Sequence, residues 1–294
     1  MDAGLKVDVA LAKPKKEAIP IARKAIKDGY DVVIAMGGDG TIGAVIRGIA
    51  GAKVRFGIIA SGTENDIARS LGIPEDLKEA CALIASGHTR KLDLGQVSTR
   101  KKKKFHFFML TAIGLTATLF PLIKEVPEGK LSGMGKAVAT FLKFESKPIV
   151  KLTLDDESKI EVETMLVTIA NTPLIGVKNL VAPDASMDDG LLDIAVYPDF
   201  SKADLLAYFA RTAHEGETPD GTIQRYRARK IKVKSSPRLD VAAEGIILGK
   251  GTARIKVLPA ALRVLAPEPG PGAEKTQAEK TARGLPEPVS PVSN

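Results

Sequence analysis

The chain has 294 residues, 44% of them hydrophobic, which is enough for one large or two ordinary domains. Aromatic residues make up only 4% and tryptophan is absent, which argues against the stacking platforms of nucleic-acid binders. The net charge of +8 favours anionic partners such as nucleotides or phospholipid surfaces. The single Cys81 excludes an internal disulfide and fits a reducing compartment. Without a signal peptide or a spanning apolar stretch, we expect a cytoplasmic protein that visits a membrane only at its surface.

The first third of the chain alternates strand-like with helix-like segments. The predicted strands are Val7 to Leu11, Asp31 to Met36, which reads as a buried strand, and Arg55 to Ala60. The predicted helices are Glu17 to Asp28, Thr41 to Ala50, a short helix after Asp66, and Glu75 to Ser86 followed by Gly87. This alternation favours a parallel sheet covered by helices.

The pattern changes after residue 90, where strand-like runs dominate. Arg90 to Val97 and Phe105 to Thr111 are predicted strands joined by the basic run Arg100 to Lys104. Residues 116–145 read as helical or irregular. From Val150 to Val196 short β-rich segments recur, a spacing typical of antiparallel strands in a β-sandwich.

The last part of the chain continues this β-rich pattern. Ser201 is expected to cap a helix that runs to about Ala213, and residues 215–222 read as a loop. Three further strands are predicted within residues 228–235, 238–245 and 253–267. From Pro267 on, Pro, Gly, Glu, Lys and Ser dominate, which predicts a disordered tail.

A glycine-rich turn follows the strand that ends at Met36. Gly37, Gly38 and Gly40 carry no Cβ, so their backbone N–H groups can approach a ligand closely. Asp39 sits inside the turn, and Thr41 leads into a helix. A strand, a glycine turn with a carboxylate and a helix N-terminus suit a phosphate or a metal-bound phosphate. The alternative is a plain strand-to-helix connection.

A second glycine turn, Gly62 to Asp66, occurs one strand–helix unit later. In a parallel sheet both turns lie at the same edge, where they can face one ligand. Thr63 and Asn65 could bind a nucleotide, and Asp66 could hold water around Mg²⁺, although simple helix capping explains Asn65 and Asp66 equally well. Neither turn has a Walker-type lysine, and the acid that a dinucleotide fingerprint needs is missing, which disfavours a Rossmann oxidoreductase.

Four separated motifs occur in order: GGDGT, GTENDIARSLGIP, RKLDLGQV and APDASMDDGLLDIAV. Together they resemble the diacylglycerol kinase catalytic-domain superfamily, and its bacterial YegS-like lipid kinases in particular. GGDGT alone also occurs in NAD kinases. The resemblance implies an N-terminal nucleotide-binding α/β domain over residues 1–94, expected to lack the family's first strand. It also implies an antiparallel β-sandwich lipid-binding domain over residues 95–266, whose last strand is a candidate to return to the first domain, and a tail over 267–294.

The resemblance also implies an activity. It predicts a transferase of phospholipid metabolism that moves the γ-phosphoryl group of ATP to a diacylglycerol-like lipid hydroxyl with Mg²⁺. Its partners would be ATP and a lipid at the membrane surface, and nucleic acid is not expected as a partner. A homodimer is possible. The alternatives are a non-catalytic nucleotide- or lipid-binding relative and an NAD kinase.

Site residues follow from the resemblance position by position. The ATP phosphates would be held by the first turn and by part of the second: Gly37, Gly38, Asp39, Gly40, Thr41, Gly62, Thr63 and Asn65. The catalytic Mg²⁺ would be organised through water by Asp39, Asp66 and Asp93.

The turn from Ser186 to Leu191 resembles the family's structural Mg²⁺ loop. The carboxylate of Asp189 and main-chain oxygens of Ser186 and Leu191 would bind that ion, while the alternative is an Asp-Gly hairpin turn. Glu244 aligns with the glutamate proposed to deprotonate the lipid hydroxyl, and Asp39 is the competing base. The alternative for Glu244 is an ordinary turn residue before Gly245.

Two further features complete the prediction. The family's Asn-Glu pair after GGDGT-I is replaced by Gly43 and Ala44, and its D-G-E motif is Ala242-Ala243-Glu244 here. The basic run Arg100 to Lys104 is expected to form a solvated hairpin tip, with contact to anionic lipid headgroups as the functional alternative.

Overall fold

The computed structural model describes residues 6–12, 17–118, 139–144, 148–175, 179–180, 182–205, 207–208 and 222–268. In the first third of the chain, the described helices are α1 (Ala18–Lys27), α2 (Asp39–Ile49), α3 (Asp66–Ser70) and α4 (Leu77–Ser86). Further along, short helical segments cover 115–118, 139–143 and 202–205.

The described strands extend over the whole chain. They are β1 (Val32–Gly37), β2 (Arg55–Ala60), β3 (Thr89–Thr99), β4 (Phe105–Phe107), β5 (Leu110–Gly114), β6 (Ile149–Leu154), β7 (Ser158–Ala170), β8 (Leu174–Ile175), β9 (Asn179–Leu180), β10 (Leu192–Pro198), β11 (Gln224–Ala228), β12 (Lys230–Ser236), β13 (Asp240–Ala243), β14 (Ile246–Lys250) and β15 (Ala253–Leu265). The predicted fold class, an α/β part followed by an antiparallel β-sandwich, is confirmed.

The strands pair in the order β1-β2-β15-β12-β6-β7-β5-β13-β14. The pairs β1–β2 and β2–β15 are parallel, whereas the other ladders in this order are antiparallel. Strand β7 pairs with β6 along its first half and with β5 and β10 along its second half. Because β7 crosses between these ladders, the two faces of the sandwich close around one apolar core. Its members on β6, β7 and β12 include Val150, Leu152, Val167, Ile231 and Val233.

The first part has its own core between α1, α2 and the strands β2, β3 and β15. Its fully buried members include Ile42, Ile46, Phe56, Leu92 and Val264. The two helices cross closely at Gly48, where an added Cβ would lie 2.7 Å from the Cβ of Ala22. This core holds the N-terminal end of α2 against the sheet edge where β1 and β2 end.

Strand β15 belongs to both parts of the fold. Its residues 253–258 lie beside β12 and β3 in the sandwich, and its residues 262–265 lie between β3 and β2. The β3–β15 register shifts between Leu258 and Leu262, and Ala260 has a left-handed φ of +50°. At this bulge the strand passes from its ladder with β12 to its ladder with β2.

Two sequence predictions are wrong. Residues 6–12 form no strand, and Val7, Val9 and Leu11 are exposed, because alternating apolar residues make a strand only where a partner strand is present. The run Asp31 to Met36 does form β1, but this strand ends the pairing order and is not buried. Ile34 and Met36 are 40% and 61% exposed.

Other predictions are confirmed or lie outside the described residues. Strand β2 has the predicted bounds, and α4 ends at Ser86 with Gly87 as its left-handed C-cap, as predicted. The basic run Arg100 to Lys104 is exposed between the antiparallel strands β3 and β4, as expected of a hairpin tip. At the predicted helix after Ser201, the Ser201 hydroxyl accepts a hydrogen bond from the Asp204 N–H at 3.2 Å. Residues 119–138, the end of that helix and the tail from 269 lie outside the described part.

Candidate active site

The two glycine turns are in direct contact. A Cβ added at Gly62 would lie 2.4 Å from the Cα of Gly38, and one added at Gly38 would lie 3.0 Å from the Cα of Gly62. The Ser61 N–H donates a hydrogen bond to the Gly37 carbonyl at 3.1 Å. Both turns follow parallel neighbouring strands, so their ends meet at one sheet edge. Only glycine permits this approach, because any side chain would collide with backbone.

The second turn is closed by its own asparagine. The Asn65 side chain accepts a hydrogen bond from the Gly62 N–H at 2.9 Å and donates one to the Gly62 carbonyl at 3.2 Å. Asn65 is buried with a left-handed φ of +54°, a conformation that asparagine tolerates better than most residues. Its side chain therefore shapes the turn, while Thr63 is exposed at the tip.

Asp39, which follows Gly37 and Gly38, holds the helix that begins after the other turn. Its Oδ2 accepts a hydrogen bond from the Asp66 N–H at 3.1 Å, and its Oδ1 accepts one from the Ile67 N–H at 2.9 Å. These donors lie at the N-terminus of α3, where backbone N–H groups lack helical acceptors. Helix capping was the alternative for Asn65 and Asp66, but the capping side chain comes from the first turn. Asp66 itself is 7% exposed.

Glu244 reaches from the sandwich to α2. It lies with Gly245 in the two-residue turn between β13 and β14, where φ is +52° and +73°. Its Oε1 accepts hydrogen bonds from the Met109 N–H at 2.9 Å and the Leu110 N–H at 3.3 Å. Its Oε2 lies 3.7 Å from where a Cβ of Gly43 would be. The carboxylate thus stands beside α2, one helical turn after Asp39.

Arg47 also enters this region, which sequence reasoning missed. Its Cζ lies 5.0 Å from the centroid of the Phe105 ring, and its Nη1 lies 3.4 Å from the Cβ position of Gly43. Burial lowers the pKa of Arg47, and the charge of Glu244 opposes that shift. The signal was present in the spacing, since residues 39, 43 and 47 share one helix face.

The Asp93 carboxylate bonds to the loop from Ser186 to Leu191 and to β15. Its Oδ2 accepts a hydrogen bond from the Gly190 N–H and its Oδ1 one from the Ala260 N–H, both at 2.7 Å. Burial raises the pKa of Asp93, and the two N–H donors oppose the rise. Asp93 therefore joins the loop to the bulge of β15.

The carboxylates of Asp188 and Asp189 in this loop are bonded to other groups of the protein. Asp188 accepts a hydrogen bond from the Ser186 hydroxyl at 2.7 Å, and its other oxygen lies 3.7 Å from the Arg90 guanidinium. Asp189 accepts a hydrogen bond from the Leu191 N–H at 3.0 Å. The Asp-Gly hairpin alternative is wrong, because β10, which follows the loop, pairs with β7 and β11.

Arg227 binds this loop from the neighbouring strand and was also missed. Its guanidinium pairs with Asp189 Oδ2, and its Nε lies 3.2 Å from Asp193 Oδ1. Arg227 and Asp193 are cross-strand partners on β11 and β10. No sequence signal pointed to the pair, because it depends on the strand register.

A cavity of about 510 Å³ lies beside Asp93. The charged residues that line it are Lys91, Arg229, Asp93, Asp188 and Asp189. Opposite charges on its wall therefore largely compensate each other.

The described ranges contain no group of three His, Cys, Asp or Glu side chains close enough together to hold a metal ion. The predicted trio of Asp39, Asp66 and Asp93 therefore does not form such a group, whereas Asp39 and the N-terminus of α3, where Asp66 lies, are in contact. In the same part of the chain, no helix is long and apolar enough to cross a membrane.

Comparison with known proteins extends over most of the chain. The Diacylglycerol kinase catalytic domain matches residues 1–97, and the YegS C-terminal NAD kinase beta sandwich-like domain matches residues 123–266. A diacylglycerol kinase of Staphylococcus aureus is 32% identical over 84% of this chain and 78% of its own length. One from Mycobacterium tuberculosis is 29% identical over 84% and 80%. These matches confirm the resemblance read from the four motifs.

A solved structure shows the same fold. The crystal structure of a diacylglycerol kinase from Bacillus anthracis aligns with a TM-score of 0.65 over 87% of this chain and 84% of its own. Its sequence is 22% identical. The arrangement of an α/β part and a sandwich is thus shared over nearly the whole chain.

Proposed function

Because the chain belongs to the diacylglycerol kinase catalytic-domain family, in its YegS-like branch, we propose that it is an ATP-dependent lipid kinase. It transfers the γ-phosphoryl group to the hydroxyl of a diacylglycerol-like lipid. The observation that carries the proposal is the contact between the two glycine turns. That contact brings Asp39, the N-terminus of α2 and the second turn to one edge, with Glu244 one helical turn away.

The ATP phosphates are proposed to lie at the first turn. The N-terminus of the eleven-residue α2 presents backbone N–H groups and the positive end of the helix dipole. Gly38 and Gly40 leave room for phosphate oxygens to approach that backbone. Thr41 and the exposed Thr63 supply hydroxyl groups on the two sides.

The residues at this edge fit a Mg²⁺ that arrives with ATP. Mg²⁺ is typically bound by one or two carboxylates together with substrate phosphates, and it keeps several waters. Asp39 and the buried Asp66 offer two carboxylates at the start of the adjoining helices. Two backbone N–H donors hold the Asp39 carboxylate in place. When bound, the ion would neutralise charge on the transferred phosphoryl group.

Glu244 is proposed as the base. Its Oε1 is held by two backbone N–H groups, which leaves Oε2 directed at α2. Both oxygens of Asp39 already accept N–H groups, so Asp39 is better suited to orient the ion than to take a proton. The lipid O–H proton moves to Glu244 while the lipid oxygen bonds to the γ-phosphorus and ADP leaves.

A second ion at the loop from Ser186 to Leu191 does not fit. The two oxygens of Asp189 accept hydrogen bonds from the Leu191 N–H and from the Arg227 guanidinium. A divalent cation would have to displace that guanidinium. The proposal therefore includes no ion at this loop.

The lipid is proposed to be met at a membrane surface. Arg100 to Lys104 are all exposed at the hairpin tip. Each such charge contributes about 1 kcal/mol near an anionic surface. Replacing all five with glutamine should weaken sedimentation with phosphatidylglycerol vesicles but leave phosphatidylcholine vesicles unaffected.

A kinase assay tests the activity. Purified protein with Mg²⁺ and radiolabelled ATP is offered diacylglycerol, a sphingoid base or phosphatidylglycerol in mixed micelles, with Asp39→Ala as control. Label on a lipid that is lost in the control supports the proposal. ATP binding without any labelled lipid would indicate a non-catalytic relative, and label on NAD would indicate an NAD kinase. Sedimentation in the same buffer distinguishes a monomer from a homodimer.

A further inference from the structure

Arg47 lies on the same face of α2 as Asp39 and Gly43. Asp39, Gly43 and Arg47 follow one another at intervals of four, so they lie on one face of the helix. Side chains of a helix lean toward its N-terminus. Arg47 accordingly reaches back over Gly43, with Nη1 only 3.4 Å from the position that a Cβ at residue 43 would take.

Glu244 approaches the same point from the β13–β14 turn. Its Oε2 lies 3.7 Å from that same Cβ position, on the open side of Gly43. A guanidinium and a carboxylate therefore converge over a residue that has no side chain. A Cβ at position 43 would contact the Arg47 guanidinium at 3.4 Å and the Glu244 carboxylate at 3.7 Å.

The environment of the Arg47 guanidinium calls for a nearby anion. It is partly buried and lies over the Phe105 ring, where a cation is favoured at the ring face. A guanidinium stays protonated in proteins, so burying it requires a compensating anion. Glu244 is the carboxylate whose charge acts on Arg47.

We propose that Arg47 is a positioning residue that holds the Glu244 carboxylate ionised and directed at the substrate edge of α2. This rests on the proposed function, in which Glu244 takes the lipid proton. Arg47 itself transfers nothing. Two backbone N–H groups fix one oxygen of Glu244, and Arg47 sets the charge and direction of the other.

Kinetics of three variants test the proposal. Arg47→Met should lower kcat by about 10-fold to 100-fold with the KM for ATP nearly unchanged. It should also move the acidic limb of the pH–rate profile to higher pH, because a nearby cation favours the ionised carboxylate. Arg47→Lys should recover part of kcat. Gly43→Leu should reproduce the Arg47→Met profile, because its side chain would occupy the position that both groups approach.

Arg254→Met is the matched control, since Arg254 is exposed on β15 in the sandwich. It should change neither kcat nor the pH profile. If Arg47→Met lowers only the melting temperature and leaves kcat and the acidic limb in place, Arg47 is structural and the proposal is overturned.

A thermal unfolding cycle separates this proposal from the proposed function. Arg47→Met, Glu244→Gln and the double variant are compared by melting temperature. If the double variant loses less melting temperature than the two single variants do in sum, the pairing is supported even if no lipid is phosphorylated. Strictly additive losses refute the pairing even if the wild-type protein is an active kinase.

Discussion

The two glycine turns and the loop from Ser186 to Leu191 both gather carboxylates, but they compensate the charge in different ways. At the turns, Asp39 is held by neutral backbone N–H groups at the start of α3. At the loop, Arg90 and Arg227 stand against Asp188 and Asp189. Both regions were predicted from the same residue type, but Asp188 and Asp189 face guanidinium groups, whereas Asp39 is bonded to backbone N–H groups.

We propose that an acidic motif alone does not define a metal site in this protein. On this proposal, the deciding property is whether the other groups bonded to each carboxylate oxygen are neutral dipoles or cationic side chains. Backbone donors fix a carboxylate without cancelling its charge, whereas a guanidinium does both.

The largest effect is expected for the charge of Asp39. Asp39→Asn keeps one acceptor for α3 but removes the negative charge, so phosphoryl transfer should fall about 100-fold to 1,000-fold. Stability should fall by only about 1 kcal/mol. Asp76→Asn is the control, because Asp76 caps α4 with bonds of 2.9 and 3.0 Å but has no proposed role in the reaction. Equal loss of rate in both variants would contradict a special role for Asp39.

The next effect is expected at the contact between the turns. Gly62→Ala places a Cβ 2.4 Å from the Cα of Gly38, so the backbones must separate. Overpacking costs about 1–3 kcal/mol, and here it would distort the proposed ATP site itself. Mg-ATP affinity, measured by calorimetry, should therefore fall roughly 100-fold. Gly48→Ala makes a similar clash with Ala22 near the other end of α2 and should lower stability alone. Unchanged affinity in folded Gly62→Ala would show that the turns need not touch.

A smaller effect is expected at the loop. Arg227→Met removes the guanidinium that pairs with Asp189 and Asp193, whose side chains are 15% and 12% exposed. The free energy of unfolding should fall by about 2 kcal/mol, and millimolar Mg²⁺ should restore part of it. The wild-type melting temperature should respond to neither EDTA nor Mg²⁺. A wild-type protein that loses stability in EDTA would contradict this expectation.

The smallest effect concerns pH at β4, the strand that contacts α2. Burial first, then the charges of Lys104, Arg23 and Lys256, lower the pKa of His106 on this strand. The folded state therefore binds this proton less readily than the unfolded state. Stability from neutral His106 is present above about pH 6.5 and is lost as the pH falls below that value. His106→Gln should remove this acid-side loss, which is measured by denaturant unfolding between about pH 5 and 7. An unchanged slope would show that another group titrates.

Much of the fold was predictable because it depends on local patterns. The helix boundaries, the glycine turns and the alternation of strands are properties of neighbouring residues. That both turns would meet followed from the parallel order of β1 and β2. The strand prediction at Val7 to Leu11 failed for the opposite reason: a strand needs a partner, and the pattern of one segment does not contain it.

The missed parts of the candidate site depend on contacts between distant segments. Asp39 caps a helix that begins in another turn, and Asp93 bonds to backbone groups of Gly190 and Ala260. Arg227 opposes Asp193 only in one strand register. Residue types could predict that these carboxylates matter, but not which donors surround them.

Strand β15 has a consequence for how the protein is made. Arg263 and Val264 pair with Arg55 and Phe56 of β2, so the sheet of the first part is completed by almost the last described residues. At about 5–20 residues per second, a ribosome reaches them roughly 10 to 40 s after it has produced β2. During that interval one side of β2 has no neighbour from its own chain, and an open strand edge invites pairing with other chains. The α/β part is encoded first but finished last.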